Sequence, residues 1–154
     1  MMIPTPYEAP DFSLKDTEGE LHSLTSYKEK WLVLYFYPKD DTPGCTIEAC
    51  SLRDARDDIA ELGASIVGIS QDDTHSHEAF KAKHTLNFTL LSDPDKQVIE
   101  AYGAWGKKMF GKEGILRKTF IINPQGQVVK AFGRVTPLGH GEQIIAQLKQ
   151  LQGK

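Results

Sequence analysis

Trp31-Leu32-Val33-Leu34-Tyr35-Phe36-Tyr37, closed by Pro38, is the stretch that decides the fold. Its residues are aliphatic or aromatic without a polar alternation, which is the pattern of a strand covered on both faces. The run is far shorter than the roughly 20 residues a membrane helix needs, and Pro38 cannot continue a sheet ladder. It is therefore expected to lie at the centre of a sheet, with cover above and below.

The neighbouring segments supply that cover. After the polar loop 39–44, Ile47, Leu52, Ile59 and Leu62 recur close to helical spacing until Gly63 provides a stop. Ala64–Ser70 (ASIVGIS) reads as a second buried strand, and Thr74 as the N-cap of a helix running through His84. Residues 88–91 suggest a short strand and 95–102 a short helix. Residues 119–122 and 127–132 flank Asn123-Pro124-Gln125-Gly126, a turn signal that should make them an antiparallel hairpin. A helix over 140–151 carries Ile144, Ile145, Leu148 and Leu151 on one face. Upstream, short runs at 12–14 and 21–24 flank the turn 16–19 and predict an N-terminal β-hairpin. The sum is an α/β chain with a mixed central β-sheet covered by helices, the layout of a thioredoxin-like fold. Such a layout hosts many chemistries and does not name one.

With 154 residues, 40% hydrophobic and 25% charged, the chain has material for one sizeable core, and residues 1–154 are read as a single domain. A net charge of -3 and a pI near 5.9 leave no positive excess for a phosphate backbone, so no nucleic-acid partner is expected. Pro4, Pro6 and Pro10 stand where a secretory signal would carry its apolar run, and the expectation is a cytoplasmic protein with no membrane partner. Two cysteines are too few for a disulfide scaffold or a structural zinc site; no metal or cofactor is expected, and chemistry is the better use for them.

Both cysteines lie in Pro38-Lys39-Asp40-Asp41-Thr42-Pro43-Gly44-Cys45-Thr46-Ile47-Glu48-Ala49-Cys50, which joins the central strand to the first helix. Catalytic groups of open α/β sheets gather at such strand ends. Cys45 falls in the first helical turn, where unpaired N–H groups and the macrodipole favour its reactive thiolate. A free thiol of pKa about 8.5 is only about 3% ionised at pH 7. Bringing that value to about 6 takes roughly 3.4 kcal/mol, whereas a helix terminus gives about 0.3–1 and at best about 2. A cation is needed as well, and Arg53, Arg56, Arg117 and Arg134 are all candidates.

Pro38, Thr42 and Cys45 form a Pro-x-x-x-Thr-x-x-Cys pattern that resembles the peroxiredoxin signature. Cys50 five residues on, Ala101-Tyr102-Gly103-Ala104-Trp105-Gly106, and the run from Gly114 to Ile122 are similar to the bacterioferritin comigratory protein or peroxiredoxin Q subgroup. The resemblance implies a thiol-dependent peroxidase that reduces hydrogen peroxide and organic hydroperoxides. Cys45 would be the peroxidatic nucleophile, passing through a sulfenic acid, and Cys50 the resolving thiol that closes an intramolecular Cys45–Cys50 disulfide. Arg117 would be the cation, Thr42 would hold the peroxide in line, and Pro38 would shield the sulfur. A thioredoxin- or glutaredoxin-like dithiol protein would be the reductant, and a monomer would suffice.

Other readings weigh less. A redox sensor would use the same cysteines without turnover. A thioredoxin-type oxidoreductase usually carries Cys-x-x-Cys, whereas four residues separate this pair. A Cys-His hydrolase lacks a histidine tied by motif to Cys45. His75 and His77, two apart on a helix, point to different faces and read as solvated surface; Trp105 reads as packing.

Overall fold

The computed structural model describes residues 3–108 and 111–154. In chain order its elements are β1 (Tyr7–Glu8), β2 (Ser13–Lys15), β3 (Leu21–Ser23), β4 (Trp31–Phe36), α1 (Pro43–Glu61), β5 (Ala64–Ser70), α2 (Thr74–His84), β6 (Thr89–Ser92), α3 (Gln97–Ala101), β7 (Trp105–Lys107), β8 (Glu113–Ile115), β9 (Lys118–Ile122), β10 (Gln127–Phe132) and α4 (His140–Leu151). The main sheet runs in the order β1-β10-β9-β4-β5-β6-β2-β3. β4, β5 and β6 are parallel neighbours, β9 is antiparallel to β4, and the outer strands extend the sheet antiparallel on both sides.

β4 is central, as its unbroken apolar run requires. Residues 32–37 are each at most 1% exposed, and their side chains alternate between two clusters. Val33, Tyr35 and Tyr37 join Leu52 and Ile59 of α1, Phe80 of α2, and Ile144 and Leu148 of α4. Leu32, Leu34 and Phe36 join Val98 and Ile99 of α3 with Tyr102 and Phe120. Burying each such aliphatic side chain contributes about 1.5–3 kcal/mol, which is why this strand carries no charged residue. The α/β sheet with cover on both faces and the hairpin β2–β3 match the sequence reading. Among the described residues no helix is long and apolar enough to cross a membrane.

α1 and α4 cross closely at Gly141. Its N–H donates to Ser51 Oγ at 2.8 Å, and a Cβ there would run into the Ser51 carbonyl oxygen and the Ala55 methyl. This contact fixes α1 from Ser51 onward and leaves its first two turns outside the staple.

Several expectations need correction. The N-cap of α2 is Asp73, whose carboxylate accepts from Ser76 N–H at 2.7 Å, and not Thr74. The element expected over 95–102 is helical only at Gln97–Ala101, and the strand expected at 88–91 is Thr89–Ser92. His75 is exposed but His77 is fully buried, so the solvated reading holds for only one of the two. The small β7–β8 sheet was not legible, because Gly106 faces Gly114 across it and neither supplies a strand signal.

Candidate active site

The loop leaving β4 delivers Cys45 to the mouth of the sheet. Thr42 occupies the N-cap position with extended backbone, Pro43 follows at the first helical position, and Cys45 is the third residue of α1. The Thr42 hydroxyl does not cap the helix; it donates to Lys39 O at 2.9 Å and closes the loop on itself. Pro38 is half-buried one residue beyond Tyr37. Cys45 is 1% exposed, so its sulfur is shielded from bulk water while the N–H groups of the first turn remain beneath it.

Of the four arginines the sequence left open, the structure brings Arg117 to the sulfur. Its Nη2–H group donates to Cys45 Sγ at 3.4 Å, and Nη1–H donates to Glu48 Oε1 at 2.7 Å. Gly44 makes room for this, since a Cβ there would lie 3.1 Å from Nη2. Burial works against the Arg117 charge, but Glu48 and then Cys45 outweigh it and hold its pKa above the ordinary value. Arg53 instead serves α1, donating to Asp54 Oδ1 and His84 O, and Arg56 pairs with Asp57.

Three participants were not singled out from the sequence. Glu48 is fully buried, and burial pushes its carboxyl up to about 7 against the opposing pull of Arg117. Its Oε2 has no hydrogen-bond partner among the described residues and lies 3.9 Å from Nε2 of buried His140, which shares a 2.8 Å hydrogen bond with Thr119 Oγ1. Burial lowers the His140 pKa; its hydrogen bond to Gln143 opposes the shift and Arg117 adds to it. Lys108 is a second cation sensing the site: burial pulls its pKa down, Cys45 opposes this, and Arg117 adds to it. His140 and Lys108 reach the site from parts of the chain remote in sequence, and only Glu48 could have been found, as a charge three residues after Cys45 in the same helix.

Cys50 is not beside Cys45. Both are free thiols in one intact helix, Cys45 in the core cluster and Cys50 half-buried in a groove between α1 and α4 with Ile47, Asp54, Leu138 and Ile145.

The AhpC/TSA family profile matches residues 6–131. The chain belongs to this family. Within it, the sequence is 45% identical to a peroxiredoxin Bcp of Bacillus subtilis over the full length of both chains. It is 43% identical to peroxiredoxin Bcp of Escherichia coli over 92% of this chain and 93% of that one. A solved structure of Xanthomonas campestris peroxiredoxin Q superposes with a TM-score of 0.86 at 39% identity, covering 90% of each chain. A related structure of the Xanthomonas campestris bacterioferritin comigratory protein, described in terms of alkyl peroxide reduction, has a TM-score of 0.86 at 38% identity and covers 91% of each chain. This peroxiredoxin therefore has the thioredoxin-like α/β fold of those relatives, and the subgroup suggested by its motifs is the one its relatives occupy.

Glu48 gives the peroxiredoxin site a measurable pH signature. A carboxyl near 4.5 in the open chain and about 7 when buried favours the folded form most below about pH 4.5, and this advantage is lost as pH rises through about 7. The difference is on the order of 3 kcal/mol. Glu48→Gln cannot titrate, so subtracting its urea stability from that of the parent between pH 4.5 and 8 should leave a declining curve. Parallel curves would show that Glu48 does not titrate in this range.

Proposed function

We propose that this thiol-dependent peroxidase uses Cys45 as its nucleophile and Cys50 as its resolving thiol. The observation that carries the proposal is the Arg117 guanidinium 3.4 Å from a sulfur in the first turn of α1. The helix terminus and the guanidinium together supply the thiolate stabilisation that neither gives alone. The thiolate attacks the near oxygen of the hydroperoxide, the O–O bond breaks, and the departing oxygen leaves as water or alcohol after taking a proton. Arg117 faces the charge that develops on the oxygens, Thr42 orients the substrate, and Pro38 limits water.

Cys50 then attacks the Cys45 sulfenic acid, releasing water and forming the disulfide, which a dithiol protein of the thioredoxin or glutaredoxin kind reduces. Both thiols come from one chain, so a monomer can complete the cycle. The two clusters share one sheet, which supports reading residues 1–154 as a single domain. The expectation of a cytoplasmic protein stands with these proposals.

Resolution must open the helix. Five residues of ideal α-helix rise about 7.5 Å and turn about 500°, which puts the two Cα atoms roughly 8.6 Å apart and the side chains about 140° apart. A disulfide usually needs a Cα separation below about 6.8 Å. The first turns of α1 must therefore unwind, at the lower cost typical of a helix end. Intact mass after one equivalent of peroxide should fall by two hydrogens, far-UV circular dichroism should lose helix, and amides from about 46 to 53 should exchange faster. A Cys45–Cys50 disulfide in an unchanged helix would refute this mechanism, and a stable gain of one oxygen would remove Cys50 as the resolving thiol.

A further inference from the structure

A second buried polar cluster, outside the Cys45–Arg117 contact, binds the loop between β4 and α1 to α2. Asp40 is 8% exposed and His77 is fully buried. Asp40 Oδ1 accepts from Tyr37 Oη–H at 2.6 Å; Oδ2 accepts from Ser76 Oγ–H at 2.8 Å and lies 2.7 Å from His77 Nδ1. The other ring nitrogen, His77 Nε2, is 3.0 Å from the carbonyl oxygen of Leu91. A carbonyl can only accept, so Nε2 carries a proton, and the Nδ1–Asp40 contact holds a further proton between its two members. The Asp40 amide N–H in turn donates to Asp72 Oδ2 at 2.8 Å, and that oxygen also accepts from Ser70 Oγ–H at 2.7 Å. Asp40, Asp72 and His77 are near enough to share a cation, but these hydrogen bonds already occupy the facing atoms.

The next residue repeats the attachment in a weaker form. Asp41 holds a left-handed backbone at φ 57°, and its exposed carboxylate meets Lys83 Nζ at 2.7 Å and His84 Nε2 at 2.9 Å, both from α2. Solvent-exposed pairs of this kind contribute little, so the buried pair dominates. Thr42 follows directly and is tied back to Lys39.

The geometry points to His77, acting through Asp40, as a positioning residue that holds residues 38–42 on α2 and β6, so that the unwinding of α1 starts at Pro43 and leaves the Thr42 hydroxyl in place for the next peroxide. This rests on the peroxidase reading above. A helix that opens at every turnover needs a fixed edge, since a loop that moved with it would have to rebuild the peroxide site each time. The buried contacts supply that edge: they involve no residue of α1, Ser70 ends β5 with Asp72 two residues beyond it, and Leu91 is the penultimate residue of β6.

Two amide variants separate the halves of the latch. Asn at position 77 can place an N–H near the Nδ1 site and keep the bond to Asp40, whereas Gln reaches toward the Leu91 carbonyl and gives up that bond. The rate constant for oxidation of Cys45 by hydrogen peroxide should fall at least about tenfold in His77→Gln, and His77→Asn should recover most of the loss. The rate and pH profile of Cys45 alkylation by iodoacetamide, which uses the thiolate but not Thr42, should stay within about twofold of the parent in both. Equal losses in oxidation and alkylation, or no loss in either, would overturn the proposal. Asp40→Asn is read by the same pair of rates, so the test survives if His77→Gln does not fold. Failure of the parent itself to consume peroxide would overturn the underlying reading, an outcome distinct from those of the variants.

Discussion

Cys45→Ser should reduce peroxide consumption to that of solution without protein, a loss of at least about a thousandfold, or about 4 kcal/mol of barrier. The site offers its stabilisation to a negative charge in the first turn of α1, where Arg117 Nη2–H points at the sulfur. A thiol exploits this because it ionises near neutral pH and its anion is strongly nucleophilic. A serine hydroxyl remains neutral in the same surroundings, and no other described nucleophile occupies its place. Cys50 faces the groove between α1 and α4, away from Arg117, so it cannot take over the first step. The check is peroxide consumption with a small-molecule dithiol as reductant, which bypasses protein docking. A turnover within tenfold of the parent would falsify the assignment of Cys45.

Arg117→Ala should slow peroxide attack by about 100-fold, the usual scale for removing one donor that faces developing charge. The loss has two parts. The thiolate forfeits a charge-assisted hydrogen bond, and the buried Glu48 carboxyl forfeits its cation at 2.7 Å, which favours its neutral form further. The pH profile of Cys45 alkylation should accordingly move upward. Arg117→Lys should restore only a fraction of the rate, because a single ammonium does not reproduce a planar fork reaching Cys45 and Glu48 together. A stopped-flow peroxide titration and the alkylation profile measure both parts. An unshifted profile would transfer the role to another cation, such as Lys108, whose charge already senses Cys45.

Strong local signals make most of the architecture readable in the sequence. β5, β10 and α4 lie at the expected residues: Gly63 precedes the apolar run of β5, the Asn123–Gly126 turn precedes β10, and α4 carries Ile144, Ile145, Leu148 and Leu151 on one face. β1 and the β7–β8 pair were missed because two or three half-exposed residues cannot show a period. At the site, the spacing of Pro38, Thr42, Cys45 and Cys50 in one segment was legible, and the choice of Arg117 among four arginines rested on resemblance until the sheet order set β9 beside β4.

By itself the sequence determined that β4 is buried on both faces, that a helix starts beside Cys45, and that two thiols five residues apart could not meet within that helix. These follow from patterns in neighbouring residues, where backbone geometry permits few outcomes. Only the tertiary structure decided which charges meet. Arg117 reaches Cys45 and Glu48 across 72 and 69 residues, and His77 reaches Asp40 across 37. Such contacts depend on strand order and on the cost of leaving a buried charge unpaired, and neither leaves a periodic trace along the chain.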